Sequence, residues 1–153
     1  MTTLQSDGVW TVPLGDHHAP YAHTLLYPRF TQLPGYTVVV VDIKRLMECF
    51  TRESVGLPPA ANWPADKLDI YRRYLDPTVG PRDMPLVHCN EREYVRSRWW
   101  GLRPPLREIL AVVSFSNGLH RTRYLEYAGA SAIPVETDSR SAPLLQRYCG
   151  ADA

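Results

Sequence analysis

The stretch Val113-Ser-Phe-Ser-Asn-Gly-Leu-His-Arg-Thr-Arg-Tyr-Leu-Glu-Tyr-Ala-Gly-Ala-Ser-Ala-Ile-Pro-Val135 decides how the chain folds. Ala111 to Phe115 is apolar and β-branched and reads as a strand, Ser116-Asn117-Gly118 as a turn, and Leu119 to Ala128 as a helix. Gly129 reads as its left-handed cap, and Ala132 to Glu136 as a second strand. A strand that feeds a helix through so short a turn leaves several N–H groups unpaired and pointing at one place, with the positive end of the helix dipole behind them. Such a place attracts anions. His120 and Arg121 are unfavourable there unless a phosphate supplies the compensating charge. On this reading Ser116, Asn117, Gly118, His120, Arg121 and Thr122 form a phosphate or nucleotide corner. Arg121 would clamp charge, and His120 would act as donor or general acid/base. The plainer alternative is an ordinary Asn-Gly turn whose two basic side chains are solvated or paired with an acid such as Glu91.

Working outward, Val9 to Leu14 and Ala22 to Leu26 flank turn residues 15 to 20 and predict an N-terminal hairpin. Tyr36 to Val41 carries four consecutive valines between turn signals and predicts a central strand buried on both faces. Asp42 follows as an N-cap, with Ile43, Leu46, Met47 and Phe50 at helical spacing to about Arg52. A proline-rich loop from Gly56 leads to a second helix, Pro64 to Leu75, with Leu68, Tyr71 and Leu75 on one face. Asp76 to Pro85 reads as loop and Met84 to Cys89 as a short strand. Arg92 to Trp100 is ambiguous between periods, and Pro104-Pro105 is expected to break whatever element precedes it. A short helix is expected around Leu144 to Tyr148. The expected fold class is α/β (α+β), a single domain over 1–153 with a mixed sheet.

With 153 residues, 44% hydrophobic and 22% charged, the chain has the composition of an ordinary globular protein. Its apolar runs, such as Val38 to Val41, are far short of a membrane span, and a cytoplasmic location is expected. Cys49, Cys89 and Cys149 show no C-x-x-C spacing, so they are read as structural, with neither a disulfide framework nor a zinc knuckle. Asp16-His17-His18, with His23 nearby, matches a metal motif in letters only; it lacks further Asp ligands, and no metal site is assigned. Fifteen of the 17 basic residues are arginines, and the segment 82–123 carries a balance of +4 against +1 for the whole chain. Arginine grips phosphate in two places and stacks on aromatic faces, although a GC-rich genome gives the same bias. As a strand, Arg92, Tyr94, Arg96, Arg98 and Trp100 would share one face with the charge and rings that single-stranded nucleic acid requires; Arg123 is added to this set. The alternative is that the tryptophans are core and the arginines a solvated face.

Gly118, His120, Arg121, Ala128, Gly129, Ile133, Pro134 and Val135 match, in register, the signature of the ParB/sulfiredoxin superfamily. That resemblance implies a nucleotide-phosphate site at the turn, since sulfiredoxins use it for ATP and ParB domains for CTP. Sulfiredoxins place their reactive cysteine directly before the His-Arg pair, where this chain has Leu119, so peroxiredoxin repair is not expected. Only eighteen residues follow Val135, so the helix-turn-helix DNA reader of partition proteins is not expected either. The chain more closely resembles the plasmid fertility inhibition factors, in the hairpin with Trp10 and Tyr21, Val38 to Lys44, Met84-Pro85-Leu86-Val87 and Ser114 to Arg121. It departs from that group at Leu119, where arginine is usual.

The resemblance implies a bacterial, plasmid-encoded inhibitor of conjugative, type IV secretion DNA transfer, with DNA or a nucleotide such as ATP and components of the transfer apparatus as partners. Hydrolysis, as an ATPase or DNase, would need a carboxylate or divalent metal that the motif does not supply. Asp42, at the end of the valine strand, is the candidate beside His120 and Arg121. The alternative class is a non-enzymatic nucleotide- or protein-binding module, and a small-molecule kinase is a third.

Overall fold

A computed structural model describes residues 1–54 and 56–151. Eight strands and four α-helices form two mixed sheets around one hydrophobic core. The strands are β1 (Thr3–Leu4), β2 (Trp10–Pro13), β3 (His23–Tyr27), β4 (Tyr36–Asp42), β5 (Arg82–Asp83), β6 (Leu86–Arg98), β7 (Arg103–Asn117) and β8 (Ala132–Asp138). The helices are α1 (Ile43–Thr51), α2 (Ala65–Tyr74), α3 (Leu119–Tyr127) and α4 (Ala142–Cys149). One sheet has the order β1-β2-β3-β5 and the other β4-β8-β6-β7. The α/β class, the hairpin of β2 and β3, the helix after Asp42 and the strand–helix–strand unit of β7, α3 and β8 agree with the sequence reading.

The valine strand differs from expectation. β4 lies at the sheet edge and pairs only with β8 apart from an isolated bridge between Val41 and Gly150. Its burial alternates, with Val39 and Val41 in the core and Val38 and Val40 half-buried. Four like residues conceal a period of two, because β-branching favours a strand on either face.

The larger difference is the segment from Leu86 to Asn117. The short strand, ambiguous stretch and break are one long antiparallel hairpin of β6 and β7. Between residues 90 and 109 its side chains are exposed on both faces, with Tyr94 alone half-buried, so no apolar alternation marks it. Pro104 and Pro105 lie inside β7 rather than ending it. They fall where the register shifts between Arg96 and Arg98, on an edge strand, where a missing N–H disturbs no ladder. The short β5 likewise sits within the expected 76–85 loop.

At the arm's tip the Leu102 N–H donates to the Trp99 carbonyl over 2.9 Å, and Trp100 (φ 50°) and Gly101 (φ 85°) are both left-handed. This is a type I′ turn, whose first central position favours Asn or Gly. Trp100 occupies it with its side chain 100% exposed. Holding a bulky residue there costs about 1–2 kcal/mol with no packing in return. Trp100→Asn should therefore raise unfolding free energy by roughly 1 kcal/mol, read from the midpoint of chemical denaturation. A fall would mean that the indole packs against something.

Candidate functional site

Helix α3 is an interior helix: Thr122, Tyr124 and Leu125 are wholly buried, and Arg121 and Arg123 nearly so. Gly118 delivers the chain from β7 into it with φ +89°. A Cβ on Gly118 would lie 2.8 Å from Pro85 Cα and 2.9 Å from Arg121 Nη2. Only glycine fits, both for its backbone angle and for the room available. No side chain caps the helix start, so the N–H groups of Leu119, His120 and Arg121 have no partner within the helix.

Arg121 folds back over this corner. Its Nη2 donates to Asn117 Oδ1 over 3.1 Å and its Nη1 to the Tyr74 hydroxyl over 3.4 Å, while the buried Nε has no partner. The residue is 8% exposed, and among the described residues no carboxylate pairs with it. A buried guanidinium without a counter-ion is costly, and two neutral acceptors offset only part of that cost.

Ile70, Tyr71, Tyr74, Asn117, Leu119 and His120, with Gly118 and Arg121, line an open cleft of about 320 Å³. The His120 ring is parallel to Tyr71, with centroids 6.3 Å apart, and lies 6.0 Å from the Trp63 ring. Burial against these rings, and then the nearby Lys67 ammonium, lower the His120 pKa, so the imidazole is neutral at pH 7. Lys67 sits with Nζ 4.1 Å from the Trp63 ring centroid. The cleft thus has cationic edges, an aromatic wall and, among the described residues, no acidic lining.

Of the residues expected to hold phosphate, Asn117, Gly118, His120 and Arg121 converge on the cleft. Thr122 does not line it: its buried hydroxyl donates to the Gly118 carbonyl over 2.8 Å and braces the corner from behind. Ser116 is exposed, outside the lining, and its Oγ is 2.8 Å from His88 Nε2. Asp42 stands apart. Its carboxylate accepts from the Arg45 N–H over 3.0 Å as the cap of α1, and it pairs with Ala132 beyond the far end of α3, about 13 Å along the strand from the corner. Capping accounts for it.

Of the residues expected to bind nucleic acid, Arg92, Arg96, Arg98 and Trp100 lie on the β6–β7 arm and are exposed. Arg92 is held 2.8 Å from Glu53, and Arg98 Nε donates to the Pro104 carbonyl over 3.1 Å. Arg123 does not join them: it is 7% exposed on α3, 3.4 Å from Glu126, because position 123 faces the interior. Sequence reasoning missed the aromatic wall. Tyr71 and Tyr74 arise 43 or more positions before Asn117, and only the helical period of Leu68 and Tyr71 hinted that this face of α2 packs inward.

The molecule is thus an α/β domain with an arginine-bearing, glycine-cornered cleft at the start of α3. The family model described as plasmid fertility inhibition factor matches residues 38–150, and the chain belongs to that family. Among solved structures, it is similar to the oncogenic suppression activity protein, itself described as a plasmid fertility inhibition factor, with a TM-score of 0.66 and 17% identity. The match covers 100% of this chain and 77% of that one. No curated protein matches it in sequence.

The corner's tolerance can be measured. Gly118→Ala should lower unfolding free energy by about 2–5 kcal/mol, from left-handed strain plus overpacking against Pro85. Gly8→Ala, with φ +83° but open space around the added Cβ, should cost only the strain, about 1–2 kcal/mol. Equal losses in urea unfolding would refute the close approach.

Proposed function

We propose that this protein inhibits conjugative transfer of a coresident plasmid, and that the cleft at Asn117, Gly118, His120 and Arg121 holds phosphate of a nucleotide or of DNA. The observation that carries this reading is Arg121: a buried guanidinium without a carboxylate partner among the described residues, with an unpartnered Nε, at the positive end of a helix. A phosphate there completes the pairing that the fold leaves open. Neutral His120 offers one donor and one acceptor at the rim, and Tyr71 and Tyr74 line the cleft with aromatic surface for a base. The resemblance to nucleotide-binding ParB and sulfiredoxin domains supports the same assignment.

Among the described residues the lining has no Asp or Glu, and Asp42 is engaged elsewhere, so the cleft is assigned binding rather than hydrolysis. Nucleotide binding then serves as a switch for contact with DNA or with a component of the transfer apparatus. The β6–β7 arm, with Arg92, Arg96, Arg98 and Arg103 around the exposed Trp99 and Trp100, suits the nucleic-acid contact. No helix among the described residues is long and apolar enough to cross a membrane.

Arg121→Met tests the site, because methionine fills the volume and removes the unpaired charge. Folding should be unharmed or improved, since replacing a poorly compensated buried charge by an apolar group is neutral or favourable. Affinity for nucleoside triphosphate or DNA should fall about ten- to a hundred-fold, the loss of a charge-assisted contact of roughly 1.5–3 kcal/mol. Mating assays with a coresident conjugative plasmid should show relief of inhibition. Unchanged affinity and unchanged inhibition in the folded variant would sink the phosphate reading and leave the protein-binding alternative.

A further inference from the structure

Next to the cleft, on the exposed side of β6 and β7, three side chains from three strands form a relay. Ser116 Oγ lies 2.8 Å from His88 Nε2, and His88 Nδ1 lies 2.8 Å from Asp138 Oδ2. The backbone makes the arrangement. β6 and β7 pair Val87 with Phe115 and Leu86 with Asn117, leaving Ser116 without an opposite residue. This is a bulge, the device by which strands re-aim a side chain near reactive sites.

The proton positions follow from the partners. Burial alone would raise the Asp138 pKa, but the Ser141 N–H, His88 and the Ser141 hydroxyl outweigh it and hold the carboxyl below its usual range. An ionised Asp138 can only accept, so the proton between them belongs to His88 Nδ1. With that tautomer the lone pair of Nε2 faces the Ser116 hydroxyl, which donates to it. The backbone fixes Asp138 as well: its Oδ1 accepts from the Ser141 N–H over 2.7 Å.

We infer that Ser116, His88 and Asp138 constitute a second, hydrolytic site, with Ser116 as nucleophile toward carboxylic esters presented at the protein surface. The inference is independent of nucleotide binding in the cleft. Nucleophile, base and orienting carboxylate have the mutual roles that recur on unrelated folds in acyl transfer. As the bond from Ser116 Oγ to the ester carbon forms, the hydroxyl proton passes to His88 Nε2. The bond from carbon to the leaving oxygen then breaks, and that oxygen takes the proton from His88. Water attacks the acyl-serine with the same base, releasing the carboxylic acid and restoring the hydroxyl. Asp138 is the positioning residue, holding the imidazole in the tautomer the transfer needs.

The test uses the whole chain, a fluorophosphonate probe and 4-nitrophenyl acetate. Peptide mass spectrometry should place the phosphonyl group on Ser116, and Ser116→Ala should abolish both that label and the associated ester turnover. His88→Gln can keep a hydrogen bond to each neighbour but cannot take up a proton; it should slow labelling at least about a hundredfold at unchanged melting temperature. Asp138→Asn should lower kcat while leaving KM and melting temperature in place, a split that loss of a structural contact does not produce. Wild-type protein unlabelled at Ser116, or equal labelling in folded His88→Gln, would overturn the proposal. Turnover of bis(4-nitrophenyl) phosphate in place of the acetate would overturn its acyl class.

Discussion

The backbone of Gly118 passes so close to Pro85 that no side chain fits between them, and much of the domain is hung on that approach. Pro85 precedes β6, and its carbonyl accepts from the Glu136 N–H over 2.9 Å, tying β6 to β8. The Glu136 carboxylate, wholly buried, turns to the other side and accepts from the N–H groups of Arg29, Phe30 and Thr31 and from the Thr31 hydroxyl. One carboxylate with four donors is the form in which a buried charge is tolerated. The loop after β3, the start of β6, the end of β7 and the middle of β8 are therefore fixed relative to one another within a few residues of the cleft. The site rests on a part of the molecule that several elements hold at once.

That rigidity bears on what Arg121 can do. A guanidinium at the start of a helix opposes the dipole, and burying it opposes solvation. An arginine free to swing into water would escape both. Here it cannot, because Asn117 and Tyr74 hold two of its nitrogens and the Gly118 backbone lies beneath it. The charge is preorganised, so an arriving anion does not have to restrain the side chain.

What was legible in the sequence was local. Gly118, Gly129, Asp42 and the helix between Leu119 and Ala128 were readable because their signals, turn chemistry, left-handed caps and spacing, lie within a few residues of the structures they specify. The β6–β7 arm was not. It is exposed on both faces and has no period to detect; its apex carries Trp where a turn signal would be Asn or Gly, and two prolines sit in the strand where an edge tolerates them. The valine strand misled for the opposite reason, since uniform β-branching says strand but not which face is inward. At the site, the 117–121 corner was visible and its wall was not, because Tyr71 and Tyr74 reach it only through tertiary packing.

The same distinction separates the two side-chain clusters on either side of Asn117. The cleft side is written in consecutive residues, whereas the relay draws His88, Ser116 and Asp138 from three strands, and no spacing relates them. A single extra residue in β7 connects the two. With Ser116 left out of the ladder, Asn117 returns to pair with Leu86, and Gly118 follows at once against Pro85. Removing the bulge would shift the register by one and turn Asn117, the last residue of the strand, to the opposite face. The irregularity that carries Ser116 to His88 is thus also what brings Gly118 to its only permissible position, so both sites depend on one feature of the backbone.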